Sequence, residues 1–495
     1  MSCSFLHAAL VVLSLFGVGS RLVGVGQVRA AEVASGEQTL AELDAAWQAA
    51  IEPLERRAHV IGAERLAREM ADWSVRASQP DDGRQLLVRI PSATVRPDWL
   101  PAGDPQQQAI WQDFLSARRR WAEQVFVAAR TAADQEQGCE AFRLLAVVLV
   151  ADPDHEQARE AGGWVKRSEE GVTSWLWPAA AGRASRREVF SAEFGWIPKT
   201  WLARYSAGER RLGSRWLPQA DLPAPKKVAD APVWQSDHWR LTYLATESQA
   251  AALAAELETA HDVWWQAFGA SSLERGDLKR MFHGQARSRP ADSMDAVHFA
   301  NRQQYVDMLE PLEPQVGRTQ GMYWAPTQVA YFFQSEDFEA TTMVHEATHQ
   351  LFAESRRTSR LAGERNNFWV IEAVACYMES LEAHSAGWKL GGLDYGRVPA
   401  AVERLTEDDF YVPLASLCAL GRVEFQAHPD LPAVYSQISG LADFFMNGQQ
   451  GRYREAFVEY LKRTYDGAAA PETLSRLCGV DFAELDDQYR RHLSR

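Results

Sequence analysis

Cysteine is scarce in this sequence, and no two cysteines stand in the CxxC spacing of a cysteine-based metal site. Cys3 lies ahead of an apolar N-terminal run, and the other four are far apart, at Cys139, Cys376, Cys418 and Cys478. Export to an oxidising compartment would allow a disulfide among these four, and buried free thiols are the alternative. Sequence alone does not pair them.

Positive charge is also in short supply, with 52 Lys and Arg against 66 Asp and Glu and a net charge of -14. This balance argues against binding to nucleic acid, whose phosphates require basic side chains, and against electrostatic binding to anionic lipid. The chain has 495 residues, of which 46% are hydrophobic and 24% charged. Such a chain is long enough for two or three globular domains.

A long hydrophobic run occurs only at the N-terminus, where residues 5–19 read FLHAALVVLSLFGVG. Arg21 interrupts it before it reaches the roughly 18 residues of a membrane-spanning helix. Small residues at Val28 and Ala30 precede Ala31 as in a signal-peptidase site, although no Lys or Arg precedes the run. We therefore predict a cleaved signal peptide at residues 1–30, with an uncleaved anchor as the alternative. The mature protein is expected to be exported (periplasmic, extracellular or at the cell surface) without stable insertion in a membrane.

The N-terminal region, residues 31–216, combines helical periodicity with tryptophan-rich segments. Apolar residues recur at helical spacing in residues 38–76 and 104–166, with a short strand predicted at 84–91. The segment CEAFRLLAVVLVADPDHEQAREAGGW resembles one tetratricopeptide-like helix–turn–helix unit. Residues 163–220 predict short strands in a small β-subdomain, whose tryptophans serve packing or, alternatively, carbohydrate stacking.

Residues 217–232 are rich in Pro and Ala and are interpreted as a linker to a second domain at 233–495. That domain is predicted to contain strands at 238–246, 278–284 and 296–300, a helix at 247–268 and a hairpin at 321–333. From residue 339 the pattern is helical to the end. The expected fold is α+β: the N-terminal region is followed by a mixed sheet and a helical lobe.

The segment HEATH carries the main chemical signal. On a helix, positions i and i+4 lie on one face one turn apart, so His345 and His349 can direct imidazole nitrogens at one ion. Glu346 lies beside them, placed to activate a water molecule as a general base. No Pro or Gly interrupts residues 340–353, which supports a helix. The alternative is a helix with two ordinary histidines.

A catalytic zinc ion requires three protein ligands and an open position. The metzincin class is excluded because Phe352 and Ser355 occupy its Gly and His positions. The remaining candidates for the third ligand are Glu354, Glu364, Glu372, Glu379 and Glu382. Glu372 is favoured because a carboxylate inside the apolar run FWVIEAVACYMESL is costly to bury unless it is paired or binds metal. A buried carboxylate bonded to backbone or Arg is the alternative.

Glu379 follows Glu372 on nearly the same helix face, two turns later. It can accept the free ring N–H of His345 or His349, which fixes the tautomer and strengthens the ligand. An ordinary half-exposed glutamate is the alternative.

These motifs resemble the gluzincin branch of zinc peptidases, in the direction of aminopeptidase N. Trp369, Glu372, Tyr377 and Glu379 match the family pattern W-x-x-E with Tyr and Glu further along the helix, while Ala373 replaces a Gly. The resemblance covers residues 320–495 and implies that Glu372 is the third zinc ligand and Glu379 its outer-shell carboxylate. The tail, from GRYREAFVEYLKRTYDG to LDDQYRRHL, is similar to secreted, uncharacterised bacterial domains of this superfamily.

The resemblance also implies a tyrosine that hydrogen-bonds the oxyanion, about sixty residues after the third ligand. Tyr435 is the best candidate, and its competitors are Tyr331, Tyr411 and Tyr453. The family's amine-anchoring strand G-x-M-E-N is represented here by GMYWA at 321–325, which lacks a carboxylate. This puts aminopeptidase activity in doubt, while the strand could still pair with an extended substrate.

The expected function is zinc-dependent hydrolysis of a peptide or protein substrate, with Glu346 as general base and Tyr435 as oxyanion donor. Two alternatives remain. One is a catalytically silent zinc-binding module that acts through the N-terminal region in protein interactions. The other is a zinc hydrolase for a non-peptide bond, because the motif fixes the activated water and not the substrate.

Overall fold

The fold mixes helices with small sheets and belongs to the α+β class, as predicted. The computed structural model describes residues 33–78, 84–92, 104–169, 172–225, 227–285, 293–335 and 340–494. The predicted signal peptide and Cys3 lie outside these residues. Among the helices in these ranges, none has the length and apolarity needed to cross a bilayer.

Helices dominate the N-terminal region, which comprises α1 (Val33–Val60), α2 (Glu64–Ser78), β1 (Leu86–Val88), α3 (Pro105–Asp134), α4 (Gly138–Ala151) and α5 (Glu156–Ala161). The start of α3 follows from its sequence. The Asp104 side chain accepts the N–H groups of Gln106 and Gln107, and Pro105 occupies the first turn, where its missing N–H costs nothing. Trp47 and Trp121 bury their rings in the core that these helices share. The predicted helices and the short strand are confirmed.

The tryptophan-rich segment forms three antiparallel hairpins with short helices between them. These are β2 (Val165–Glu169) with β3 (Val172–Leu176), α6 (Pro178–Ser185), β4 (Glu188–Ser191) with β5 (Gly195–Pro198), α7 (Leu202–Ser206), and β6 (Glu209–Leu212) with β7 (Arg215–Pro218). The second strand of each hairpin carries a tryptophan, at Trp175, Trp196 and Trp216, followed by an aliphatic residue and soon by proline. The hairpins are thus variants of one sequence unit, a repeat that the hydrophobic pattern alone did not reveal.

A five-stranded mixed sheet follows, built from β8 (Val233–Gln235), β9 (Trp239–Tyr243), β10 (Met294–Phe299), β11 (Met322–Trp324) and β12 (Val329–Phe333). The strand order is β11-β12-β10-β9-β8, with β9, β10 and β12 parallel and both outer strands antiparallel. The predicted hairpin is confirmed as β11 and β12. Helix α8 (Glu247–Phe268) begins at a capping box in which Thr246 and Gln249 exchange side-chain and backbone bonds.

One predicted strand is wrong. Residues 278–284 lie largely in helix α9 (Asp277–Phe282), which is followed by α10 (Arg302–Leu309). Leu278, Met281 and Phe282 recur at helical spacing and are buried in the core of the N-terminal helices. A short apolar run does not distinguish a strand from a buried helix. Here the packing of the segment against the N-terminal helices favours the helix.

The C-terminal part is mostly helical, as predicted. It comprises α11 (Ala340–Glu354), α12 (Phe368–Met378), the hairpin β13 (Glu382–His384) and β14 (Gly387–Leu390), α13 (Val398–Thr406), α14 (Leu414–Ala419), α15 (Arg422–Gln426), α16 (Leu431–Gly451), α17 (Arg454–Tyr465), α18 (Thr473–Cys478) and α19 (Phe482–Leu493). Every residue of α12 is buried. Two tyrosines fix it: Tyr460 accepts the indole N–H of Trp369, and Tyr377 donates to Asn447. This helix is a rigid base for a site.

Contacts cross the predicted linker. Strand β1 pairs antiparallel with β14, and the Gln85 side chain donates to the carbonyl of Gly391. The carboxylate of Glu455 on α17 accepts the backbone N–H of Glu140 on α4. The division at residues 217–232 stays a prediction, while these contacts join residues on both of its sides.

Candidate metal site

Helix α11 presents the two histidines and the glutamate of HEATH on one face, while its other face is buried. Met343, Val344, Ala347 and Leu351 pack into the main core, and His345, Glu346 and His349 are half-buried. The fully buried Gln350 holds the helix against the sheet: its side chain accepts the indole N–H of Trp239 at 3.0 Å and donates to the carbonyl of Asp295 at 3.0 Å. Sequence reasoning missed Gln350, because its role depends on a partner more than a hundred residues away.

Helix α12 brings Glu372 to the two histidines. The Nε2 atoms of His345 and His349 are 3.2 Å apart. The carboxylate oxygens of Glu372 lie 3.6 Å from Nε2 of His345 and 3.8 Å from Nε2 of His349. Among the described residues, these three side chains form one of three clusters whose donor atoms could hold a metal ion.

The spacing of these donor atoms fits one small ion. Two ligands at about 2.05 Å from a tetrahedral zinc ion are about 3.3 Å apart. The separations of 3.2, 3.6 and 3.8 Å are close to that value. Two imidazoles and one carboxylate are also a donor set typical of catalytic zinc, and that set leaves one position open.

The electrostatics of the cluster suit a cation. Burial would raise the pKa of Glu372, but the nearby imidazoles of His349 and His345 lower it to about 2, so Glu372 is a carboxylate. Burial lowers the pKa of His349, which favours its neutral, ligating form. Burial would also lower the pKa of His345, but hydrogen bonds with Cys376, Glu372 and Glu379 raise it well above its ordinary value, so a metal ion would have to displace a proton from this ring.

Glu379 lies where the sequence suggests an outer-shell carboxylate. Its Oε1 is 2.8 Å from Nδ1 of His345, and its side chain is only 6% exposed. Arg397 donates two hydrogen bonds to the same carboxylate, from Nε at 2.7 Å and from Nη2 at 2.8 Å. Burial would raise the pKa of Glu379, but the hydrogen bonds from His345 and Arg397 lower it. Arg397 was missed, because it lies in a loop whose placement no local pattern fixes.

Cys376 is an unexpected neighbour of this pair. Its sulfur, the His345 ring and the Glu379 carboxylate form a second cluster of donor atoms that shares His345 with the first. Burial raises the pKa of Cys376, so it is a neutral thiol. The four cysteines within the described residues are buried free thiols, which agrees with the non-disulfide alternative.

Glu346 is held at the edge of the sheet. Its Oε2 accepts the backbone N–H of Tyr323 on β11 at 2.7 Å. A Cβ added at Gly321 would come within 3.3 Å of Cγ of Glu346, so the glycine leaves room for this side chain. The outer strand β11 therefore borders the histidine cluster. It carries no carboxylate of its own, as its sequence indicates.

Of the four candidate tyrosines, Tyr435 contacts the cluster. Its hydroxyl donates to Oε2 of Glu372 at 3.0 Å, and the Arg397 guanidinium lies 5.7 Å from its ring centre. The competitors have other partners: Tyr411 donates to Asp486, Tyr453 donates to Gln488, and Tyr331 stacks on Phe299.

The other glutamates considered for the third ligand have other surroundings. Glu354 accepts a hydrogen bond from Gln350, and burial raises its pKa to about 7. Glu364 is exposed and pairs with Arg422 at 3.7 Å. Glu382 lies exposed on β13.

The chain matches no protein-family model, and no curated protein or solved structure matches it. The geometry of the site is therefore the basis for assigning its chemistry.

Proposed function

We propose that this protein is a zinc-dependent hydrolase of peptide bonds, with His345, His349 and Glu372 as metal ligands and Glu379 as the outer-shell carboxylate. The carrying observation is the convergence of three donor groups, from two helices, at the spacing of ligands around one tetrahedral ion. Glu379 and Arg397 add support, because they would fix the tautomer and orientation of His345.

Zinc held by these residues would polarise the substrate carbonyl and make a water molecule acidic near neutral pH. Glu346 would accept a proton from the attacking water and pass it to the leaving amine. Its bond to the N–H of Tyr323 keeps the carboxylate aimed beside the outer strand. Tyr435 would donate its hydroxyl proton to the carbonyl oxygen as negative charge develops there.

We further propose that an extended peptide or protein segment pairs with the outer edge of β11. The backbone of Tyr323 faces away from β12, which supports this arrangement; because its N–H is held by Glu346, its outward carbonyl is the group that would accept from the substrate. Because β11 lacks a carboxylate, an amine-anchored aminopeptidase mode is not favoured. A zincin-like arrangement of sheet and helices, related to the gluzincins, an N-terminal helix pair of tetratricopeptide type, and export through the signal peptide belong to the same proposal.

The test is Glu346→Gln, with Glu364→Gln as a matched control on an exposed loop. Each protein is supplied with zinc, its metal content is measured, and it is incubated with a peptide library read by mass spectrometry, with and without chelator. We expect equal zinc content and a fall in turnover of about 10²- to 10⁴-fold for Glu346→Gln alone.

Unchanged turnover in Glu346→Gln would refute the proposed mechanism, in which Glu346 is the general base. Zinc binding without cleavage of any peptide by the wild type would favour the silent binding module, and turnover only of non-peptide substrates would favour the other alternative.

A further inference from the structure

A second candidate site lies away from the metal cluster. A cavity of about 320 Å³ opens between α4, the β2–β3 hairpin and α8, and within the described residues it shares no lining residue with the cluster. Its size is at the lower end of small-molecule sites, which run from about 300 to 1,000 Å³. The walls differ in character, one aromatic and the other acidic.

Tryptophans form the aromatic wall. Trp164 and Trp177 lie 5.0 Å apart between ring centres, and Trp177 meets Trp265 at 5.8 Å with the ring planes at 83°. The indole N–H of Trp265 donates to the carbonyl of Gly162, so a polar atom of this wall is already satisfied. Two indole rings at nearly right angles can offer π-faces to one ligand from two sides.

Carboxyl groups form the acidic wall. Asp237 and Asp262 line the cavity, and a third carboxyl group, Glu258, lies behind them against His238 at 2.6 Å. Burial would lower the pKa of His238, but the charge and hydrogen bond of Glu258 raise it, so His238 is the cation of this pair. Burial lowers the pKa of the neighbouring His261, which leaves that ring neutral. Three carboxyl groups thus face one imidazolium.

The lining also contains a cation. Arg89 borders the cavity, and its charge acts on the carboxyl group of Asp44 together with that of Arg143. Asp237 accepts the indole N–H of Trp196 at 2.6 Å, which is a neutral partner and does not offset its charge. Asp237, Asp262 and Glu258 thus outnumber the two cations, Arg89 and His238, by one. Burial and the charge of Glu258 raise the pKa of Asp237, as expected for a carboxyl group that lacks a cationic partner.

We propose that this cavity binds a small organic cation of the alkylammonium class, between the π-faces of Trp177 and Trp265 and the carboxylates of Asp237 and Asp262. Aromatic faces attract cations through the ring quadrupole, and burial strengthens that attraction. A cation would also offset the excess of carboxylates.

A metal ion is a weaker fit for the same charge. His238, Glu258 and His261 have donor atoms close together, but the two imidazole rings are stacked at 3.4 Å between centres with planes only 19° apart. The lone pairs of imidazole nitrogens lie in the ring planes, so in stacked rings they run side by side and do not converge on one ion.

The test is calorimetric titration of the full chain with choline chloride and with its uncharged isostere 3,3-dimethylbutan-1-ol. The variants are Trp177→Leu and the isosteric Asp262→Asn, with Trp216→Leu and Asp307→Asn as controls outside the cavity lining. We expect choline to bind the wild type saturably and one-to-one. The uncharged isostere should bind the wild type about tenfold or more weakly than choline, and choline should bind either cavity variant about tenfold or more weakly than the wild type. The controls should bind as the wild type does.

Failure of choline to bind saturably would overturn the proposal, and so would equal affinity for choline and the isostere, which would indicate an apolar pocket. Displacement of choline by zinc chloride that His261→Gln abolishes would assign a metal instead. If Trp177→Leu does not fold, as judged by circular dichroism, Asp262→Asn alone decides.

Discussion

Substituting Glu379 by Gln tests whether the outer-shell carboxylate tunes the metal site. The carboxylate accepts from Nδ1 of His345 and from two nitrogens of Arg397. An amide keeps the shape but not the charge, and its NH₂ group must face one of these donors. Arg397 is the partner that can give way, because its side chain is 45% exposed and can turn to water. The cost in folding free energy should therefore be small, about 1 kcal/mol.

The cost in zinc affinity should be larger. His345 would lose the anionic acceptor that raises the basicity of its ring, and loss of such a partner typically costs about 10- to 100-fold in metal affinity. That range corresponds to about 1.4–2.7 kcal/mol of binding free energy. A chromophoric chelator in competition with the protein measures it.

The control is Glu382→Gln, an exposed carboxylate on the neighbouring hairpin. Urea unfolding of the metal-free proteins checks that both variants are folded. If Glu379→Gln and Glu382→Gln bind zinc equally well, the assignment of Glu379 is refuted. Arg397→Gln should give a smaller loss, because it leaves the contact between Glu379 and His345 in place.

Two further predictions concern the proposed oxyanion donor and the central sheet. Tyr435→Phe removes the hydroxyl beside Glu372 and should lower kcat by about 10²- to 10³-fold while zinc content stays the same; an unchanged kcat in steady-state assays would contradict the role. His298, 3% exposed in the central strand β10, has a pKa lowered by burial to about 4. Between about pH 6.5 and 4, His298 is protonated in the unfolded state but stays neutral in the folded state. The free energy of unfolding is therefore highest above about pH 6.5 and declines as the pH falls below that value. Urea unfolding should show that the wild type loses about 2 kcal/mol more than His298→Phe between pH 7.5 and 5, and equal losses would contradict this.

Local periodicity predicted much of the fold, because burial of one face imposes its spacing on the sequence. The predicted helix at 247–268 agrees with α8, and the hairpin at 321–333 agrees with β11 and β12. The error at Leu278–Phe282 arose because a short apolar run has no period long enough to separate helix from strand. Which core this segment joins depends on contacts distant in sequence.

The residues of the candidate site also differ in whether local sequence could predict them. His345 and His349 are one helical turn apart, so their proximity follows from the motif. Glu372 could be singled out because a charge in an apolar run needs a partner, and the structure places it beside both histidines. Arg397 and Gln350 lacked any such signal, because an Arg in a loop or a Gln on a helix has an ordinary solvated interpretation. The roles of all these residues stay predictions until metal and activity are measured.

The pairing of β1 with β14 has a consequence for how the chain reaches its native state. The Gln85–Gly391 bond beside this pair spans 306 positions, so β1 has no partner until nearly four-fifths of the polypeptide has been synthesised. Closing so long a loop costs only modestly more entropy than closing a short one, but it makes the contact late and slow. The early helices must collapse with an unpaired strand between them. During synthesis, β1 is therefore an exposed segment to which a chaperone could bind.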